Sequence, residues 1–381
     1  MSRATWVLGG CALVVSVLLC EILLSLFNPQ IRSRPPTVWQ FDPELGWAHV
    51  PGGQGRLVTP EFDVGLSINS DGLRGDESSR ERRPGVRRIL LFGDSFAEGW
   101  GVEEEQALSA RLADCLSQGN ETVEVLNFGV AGYGTDQAFL LYQKLGRLYD
   151  PDLVVALFYG NDLWNNASPR GIGAEQGYKP YFRPLEGGRL SLQGVPVRKT
   201  RYWDMSRYEG GSVGQRAVRY LRSNWHLYAL VEKAATARDS ASPQSQFYDG
   251  LYGVDTKGKW QPLWDLTGFL LRDFATAVGR DGSEFVLVYA PSIVQVEPDN
   301  WREKSDLHGL TGDYDMLNPN RQLSEIAQRY GLTLVDPYPA FKEAGRRDVL
   351  YLRDSHWNAR GHSIAAEVLC GHLQPAGGET P

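Results

Sequence analysis

Arg88-Ile89-Leu90-Leu91-Phe92-Gly93-Asp94-Ser95-Phe96 is the stretch on which the fold turns. Arg88 to Phe92 is a short apolar run of the kind that forms a strand buried on both faces. It ends at a glycine, and Asp94 and Ser95, residue types favoured at helix starts, follow at once. The segment from Glu103 to Ser117 is amphipathic at helical spacing, so the unit reads strand, turn, helix. Outward from there the unit repeats. Strands are predicted at Val123 to Asn127, Leu153 to Tyr159, Glu284 to Tyr289 and Leu332 to Val335, and helices at Tyr133 to Tyr149, Pro262 to Val278, Asn318 to Tyr330 and Ala359 to Leu373. Strand and helix in alternation predict a parallel sheet covered on both faces, an α/β/α sandwich.

The rhythm breaks between residues 163 and 260, which read as an insertion. Within it, Lys179 to Val197 carries a Gly187-Gly188 turn between two strand-like runs, Ser212 to Ala237 is irregularly helical, and Ala234 to Gly250 is polar and expected to be mobile. Trp164, Tyr178, Tyr181, Phe182, Tyr202 and Trp203 suit either a substrate wall or a local aromatic core. Ahead of the repeating units, Phe62 to Asn69 alternates with period two and Asn69-Ser70-Asp71-Gly72 signals a turn, so Asp42 to Gly75 is expected to form a small antiparallel lid or edge hairpin. Ser33 to Pro36 reads as a linker.

Trp6 to Phe27 is apolar for about 20 residues, the length that crosses a bilayer as a helix, and Glu21 is its one charge. A cleaved secretory signal would show a shorter apolar core and a small-residue cleavage site, so an uncleaved anchor is expected. Arg3 on one side and Arg32 and Arg34 on the other leave its orientation open. The expected division is therefore an anchor at 6–27, a linker and N-terminal extension at 28–86, and a main domain at 87–375. A net charge of −7, with no cluster of Lys and Arg, argues against a nucleic-acid surface. The 42 glycines, 21 prolines and 11 tryptophans fit many tight turns and a surface for a sugar-like or amphiphilic substrate. Cys11 and Cys20 lie in the anchor; Cys115 and Cys370 read either as two buried thiols or, outside the cytoplasm, as a permitted disulfide.

Four blocks fall at or just after the C-terminal ends of predicted strands, the edge where open parallel sheets bind ligands. Gly93-Asp94-Ser95-Phe96 sets a hydroxyl on a strand-to-helix turn, or is a plain helix cap. Asn127-Phe128-Gly129-Val130-Ala131-Gly132-Tyr133-Gly134 lets backbone amides approach an oxyanion, or is an ordinary loop. Gly160-Asn161-Asp162 offers a side-chain amide donor, or a turn. Arg353-Asp354-Ser355-His356-Trp357-Asn358 holds a carboxylate near an imidazole, the pair an alcohol nucleophile needs to lose its proton. His356 and His362 match no metal-ligand spacing and no third ligand is evident, so neither a metal nor another cofactor is expected.

In this order the blocks resemble the GDSL/SGNH hydrolase family over Arg87 to Leu373, the insertion apart. The resemblance implies a five-stranded parallel sheet of flavodoxin-like order 2-1-3-4-5. It implies Ser95 as nucleophile, Asp354 and His356 as acid and base, and Ser95, Gly132 and Asn161 as the oxyanion hole. It implies ester cleavage through an acyl-serine, with an ester-bearing glycan or lipid as substrate. Phe96 replaces the family's usual Leu, and one residue rather than two separates the acid from the base. The one-residue gap resembles extracytoplasmic acetyltransferases and acetylesterases of bacterial polysaccharides. The expectation is therefore a membrane-anchored serine esterase with an extracytoplasmic domain, with an O-acyltransferase of envelope polysaccharide and a non-catalytic binding protein as alternatives. The implied sheet order also sets the first and last helices side by side, so a Cys115–Cys370 disulfide follows as a hypothesis.

Overall fold

The computed structural model describes residues 3–28, 38–59, 61–118, 122–171, 177–200, 212–237, 243–254, 258–345 and 349–374. The linker at Ser33 to Pro36 and the aromatics Tyr202 and Trp203 lie outside these residues.

Helix α1 spans Arg3–Phe27 and buries none of its side chains completely. It is long and apolar enough to cross a membrane. Two hairpins follow, β1 (Trp39–Asp42) with β2 (Gly46–His49), and β3 (Gln54–Val58) with β4 (Asp63–Ser67). The alternation at Phe62 to Asn69 is thus a real strand, and at the predicted turn the Gly72 amide donates to the Asn69 carbonyl at 3.0 Å.

Strands β5 (Val86–Gly93), β6 (Thr122–Gly129) and β7 (Leu153–Phe158) form the first half of a five-stranded sheet. Every ladder in that sheet is parallel. Its remaining strands, β10 (Glu284–Tyr289) and β11 (Thr333–Val335), extend it beyond β7, so the spatial order is β11-β10-β7-β5-β6. Counted along the chain this is 2-1-3-4-5. Within β5, Ile89 and Leu91 face one core and Leu90 and Phe92 the other, and all four are fully buried. Burial on both faces is why the strand is an unbroken apolar run rather than an alternating one.

The first layer contains α3 (Leu108–Leu116) and the closing helix Ala359–Leu373, joined by a disulfide between Cys115 and Cys370 whose α-carbons are 6.3 Å apart. The second contains α4 (Thr135–Lys144) and the helix Gln261–Arg280, whose Phe139, Tyr142, Leu270 and Phe274 pack beneath β5 and β7. Helix ends are tighter than the periodicity predicts. Glu104–Gln106 and Gly146–Tyr149 are single 3-10 turns set off from α3 and α4. Short turns of this kind serve as connectors that helical spacing alone does not distinguish.

In the insertion, β8 (Tyr181–Pro184) and β9 (Leu190–Gln193) pair across the Gly187-Gly188 turn. Phe182 enters the second core against Phe139, and Trp164, half-buried, packs edge-on to Trp260 at the margin of the first. Helix α5 (Asp162–Asn165) is followed, beyond the hairpin, by α6 (Val213–Asn224), α7 (His226–Ala237) and α8 (Pro243–Tyr252). Of the polar stretch Ala234 to Gly250, residues 238–242 lie outside the described residues and Pro243 onward is helical, in α8. Leu251 and Tyr252 at its end are buried, and tertiary packing supplies what local polarity hid.

Candidate active site

Strand β5 ends at Gly93, and Asp94 turns the chain into the single-turn helix α2 (Ser95–Glu98). Asp94 is the cap: its carboxylate accepts the Phe96 amide at 2.9 Å. Ser95 is left with its hydroxyl facing the block near the C-terminus, and its Oγ lies 2.8 Å from His356 Nε2. The second block closes over this turn. A Cβ on Gly129 would stand 2.2 Å from the Glu98 amide nitrogen, so only glycine admits the contact. Gly132 takes φ of +79°, and its carbonyl accepts from Asn165 Nδ2. Among the described residues the backbone amides of Ser95 and Gly132 donate to no protein acceptor.

Asn161 follows β7, and its Nδ2 donates to Asp94 Oδ2 at 2.8 Å, which leaves the other N–H of that amide available. Behind it, Thr135 Oγ1 donates to Asp162, and Asp136 is ion-paired with the buried Lys179. Burial, aided by nearby Asp94, pushes the Asp162 carboxyl well above its ordinary range. Burial likewise pushes Asp94 up to about 6, against the opposing hydrogen bonds from Phe96 and Asn161 and the field of His356. Leu251 of α8 presses on Gly160 so closely that a Cβ there would be 2.4 Å from its methyl. The insertion therefore buttresses the turn that carries Asn161.

Asp354 Oδ1 lies 3.1 Å from His356 Nδ1, within ion-pair reach but off the axis of a ring N–H. The one-residue gap is bridged by Ser355 at φ of +77°, a left-handed residue that folds the carboxylate back toward the imidazole. Asp354 Oδ1 also accepts the His356 amide, and Oδ2 accepts the indole N–H of Trp100 at 3.0 Å. Burial opposes ionisation of Asp354, but these donors and the facing imidazole outweigh it and hold the carboxyl below its usual value. Phe96, in place of leucine, lies under the imidazole with ring centres 5.1 Å apart and meets Trp357 and Tyr159 as well. His362 is a core residue against Trp357, its pKa pushed down by burial to about 3.

Sequence reading missed Trp100 and the attachment beneath α2. Glu98, fully buried, accepts from Trp39 Nε1 and sits 2.6 Å from His49 Nε2, both from the first hairpin. Arg74, buried as well, donates to the carbonyls of Glu98, Gly99 and Val102. No local pattern marks these residues, because each is defined by a partner tens of positions away.

The family model for GDSL-like lipase/acylhydrolase matches residues 91–364. No curated protein matches the chain. Solved structures that match include an α/β hydrolase from the metagenome of Lake Arreo, Spain, at 14% identity over 76% of this chain and 97% of that one, with a TM-score of 0.40. TesA matches at 13% identity over 76% and 99%, with a TM-score of 0.39. A catalytic mutant of an acetylxylan esterase from Geobacillus stearothermophilus matches at 14% over 74% and 92%, with a TM-score of 0.38.

Proposed function

The chain belongs to the GDSL-like lipase/acylhydrolase family and so acts on ester bonds; from that premise we propose that it is a membrane-anchored esterase that removes acyl groups, acetyl foremost, from a carbohydrate or lipid through an acyl-serine. The observation that carries the reading is the 2.8 Å contact between Ser95 Oγ and His356 Nε2, with Asp354 on the far side of the ring. His356 takes the hydroxyl proton as Oγ attacks the ester carbonyl. The carbonyl oxygen gains negative charge, and the unengaged amides of Ser95 and Gly132, with the second N–H of Asn161, stabilise it. Collapse expels the alcohol, which leaves with the proton held on His356. Water then repeats the sequence on the acyl-serine, returning the serine and releasing the acid. Asp354 stabilises the imidazolium at each stage.

The apolar α1 and the Cys115–Cys370 bridge favour an extracytoplasmic domain, since disulfides persist in oxidising compartments. A second reading, transfer of the acyl group to an envelope glycan hydroxyl, uses the same acyl-serine, and the one-residue spacing of Asp354 and His356 resembles acetyltransferases as well as acetylesterases. The full chain is incubated with p-nitrophenyl acetate, with and without a glycan acceptor. Free acetate and fluorophosphonate labelling of Ser95 support hydrolysis, and acetylated glycan at the expense of acetate supports transfer. Ser95→Ala is expected to lower turnover by about 10⁴-fold or more. An unlabelled wild-type Ser95 with no turnover sinks both and leaves a binding protein.

A further inference from the structure

We propose that α6 and α7 of the insertion form a second membrane contact, with α7 lying beside α1 inside the lipid and α6 along an anionic headgroup surface. The proposal rests on the reading of α1 as a membrane anchor. Its first support is Glu21, the lone charge in the apolar stretch. Glu21 stands six residues before the end of α1, about 9 Å along the helix axis. A carboxylate at that depth is costly unless it is paired. Its two oxygens accept the backbone amides of His226 and Leu227, each at 2.8 Å, which are the first N–H groups of α7. The unsatisfied amides and partial positive charge of a helix start are the partners such a carboxylate requires. If α1 is in the bilayer, the start of α7 must be at the same depth.

The packing agrees. Val17, Glu21 and Leu24 are the half-buried residues of α1, and their spacing of four and three defines one helix face, the face α7 covers. Both insertion helices carry exposed apolar side chains. Val213, Val218, Tyr220 and Val231 account for four of the twelve large apolar side chains exposed outside α1 among the described residues. The exposed apolar side chains of α1 are thus joined by Val231 on α7 and by Val213, Val218 and Tyr220 on α6. Charge selects the lipid: residues 213–237 hold three arginines and one lysine against one glutamate, in a chain whose net charge is −7. A basic amphipathic helix with exposed apolar side chains binds at an anionic interface. The same stretch of chain then runs into α8, whose Leu251 abuts Gly160, so the membrane contact and the wall behind Asn161 are consecutive.

The test uses the full chain in nanodiscs of phosphatidylcholine containing a minor fraction of phosphatidylglycerol. Cys11→Ser and Cys20→Ser clear the background, and single spin labels enter through Leu13→Cys, Val218→Cys, Val231→Cys or Leu148→Cys. Leu148 is exposed and precedes β7, at the sheet edge opposite Gly160. Collision with oxygen relative to a water-soluble nickel reagent is expected to be several-fold higher at 218 and 231 than at 148, and to fall at 218 in discs of phosphatidylcholine alone. Ratios at 218 and 231 equal to that at 148, with 13 in lipid, overturn the proposal while sparing the anchor. A ratio at 13 like that at 148 overturns the anchor itself. Dipolar broadening between 218 labels in discs holding two chains, with no contrast in discs holding one, overturns it in favour of a second copy of the chain.

Discussion

Trp100 offers a test of how far the site rests on one N–H. Its indole holds the Asp354 oxygen that does not face His356, while its ring lies 5.7 Å from the imidazole, centre to centre. Trp100→Phe keeps the ring and removes only the donor. A hydrogen bond to a charged group contributes about 1.5–3 kcal/mol, so kcat, measured well below the melting temperature, is expected to fall roughly ten- to a hundredfold with KM little changed. A fall in melting temperature that accounts for the lost rate would make Trp100 merely structural. Asp94 makes a second prediction, through pH. Its pKa rises from 3.8 to about 6 on folding, so the folded chain binds the proton more tightly and this group's contribution to stability declines as pH rises between those values. Asp354 and Asp71 have lowered pKa values and pull the other way, so the readout is the difference between wild type and Asp94→Asn in denaturant midpoint across about pH 4 to 7. Parallel curves would show that Asp94 does not titrate in this window.

At the scale of elements, α2 is one turn long and cannot hold itself in place. Its far end is held by the chain that precedes the sheet, through His49 and Trp39 of the first hairpin on Glu98 and through Arg74, which follows the second hairpin. Arg74→Met removes the donor from three buried carbonyls while retaining an apolar stem. Breaking a buried charged network of this kind costs about 3–5 kcal/mol, and a urea titration measures it. A shift well under about 1 kcal/mol would mean that this preceding chain rests on α2 without supporting it. The strands themselves were legible in the sequence because burial on both faces writes itself as apolar runs, as in Ile89 to Phe92. The hold of the preceding chain on α2 was not, because His49 and Arg74 look like any surface His and Arg until Glu98 is placed beside them.

For the whole molecule, the Cys115–Cys370 bridge ties α3 to the closing helix across 255 residues, a loop that contains β6, β7, β10, β11 and the insertion and leaves β5 outside it. Reduction, or Cys115→Ala with Cys370→Ala, is expected to cost about 2–5 kcal/mol, read as a lower melting temperature by calorimetry with and without reductant. An unchanged transition would mean that helix packing alone sets the stability of that layer. Apolar runs, glycine-punctuated strand ends and a bilayer-length leader were sufficient to read out the parallel α/β sheet, the four blocks along its edge and the membrane-length helix, because each depends on neighbours in the chain. The left-handed Ser355, the Trp100 donor, the Glu98 attachments and the Glu21 cap of α7 emerge on folding alone. Each is a contact between groups far apart in sequence, and the energy of a buried polar contact depends on which partner arrives, a quantity no local pattern encodes.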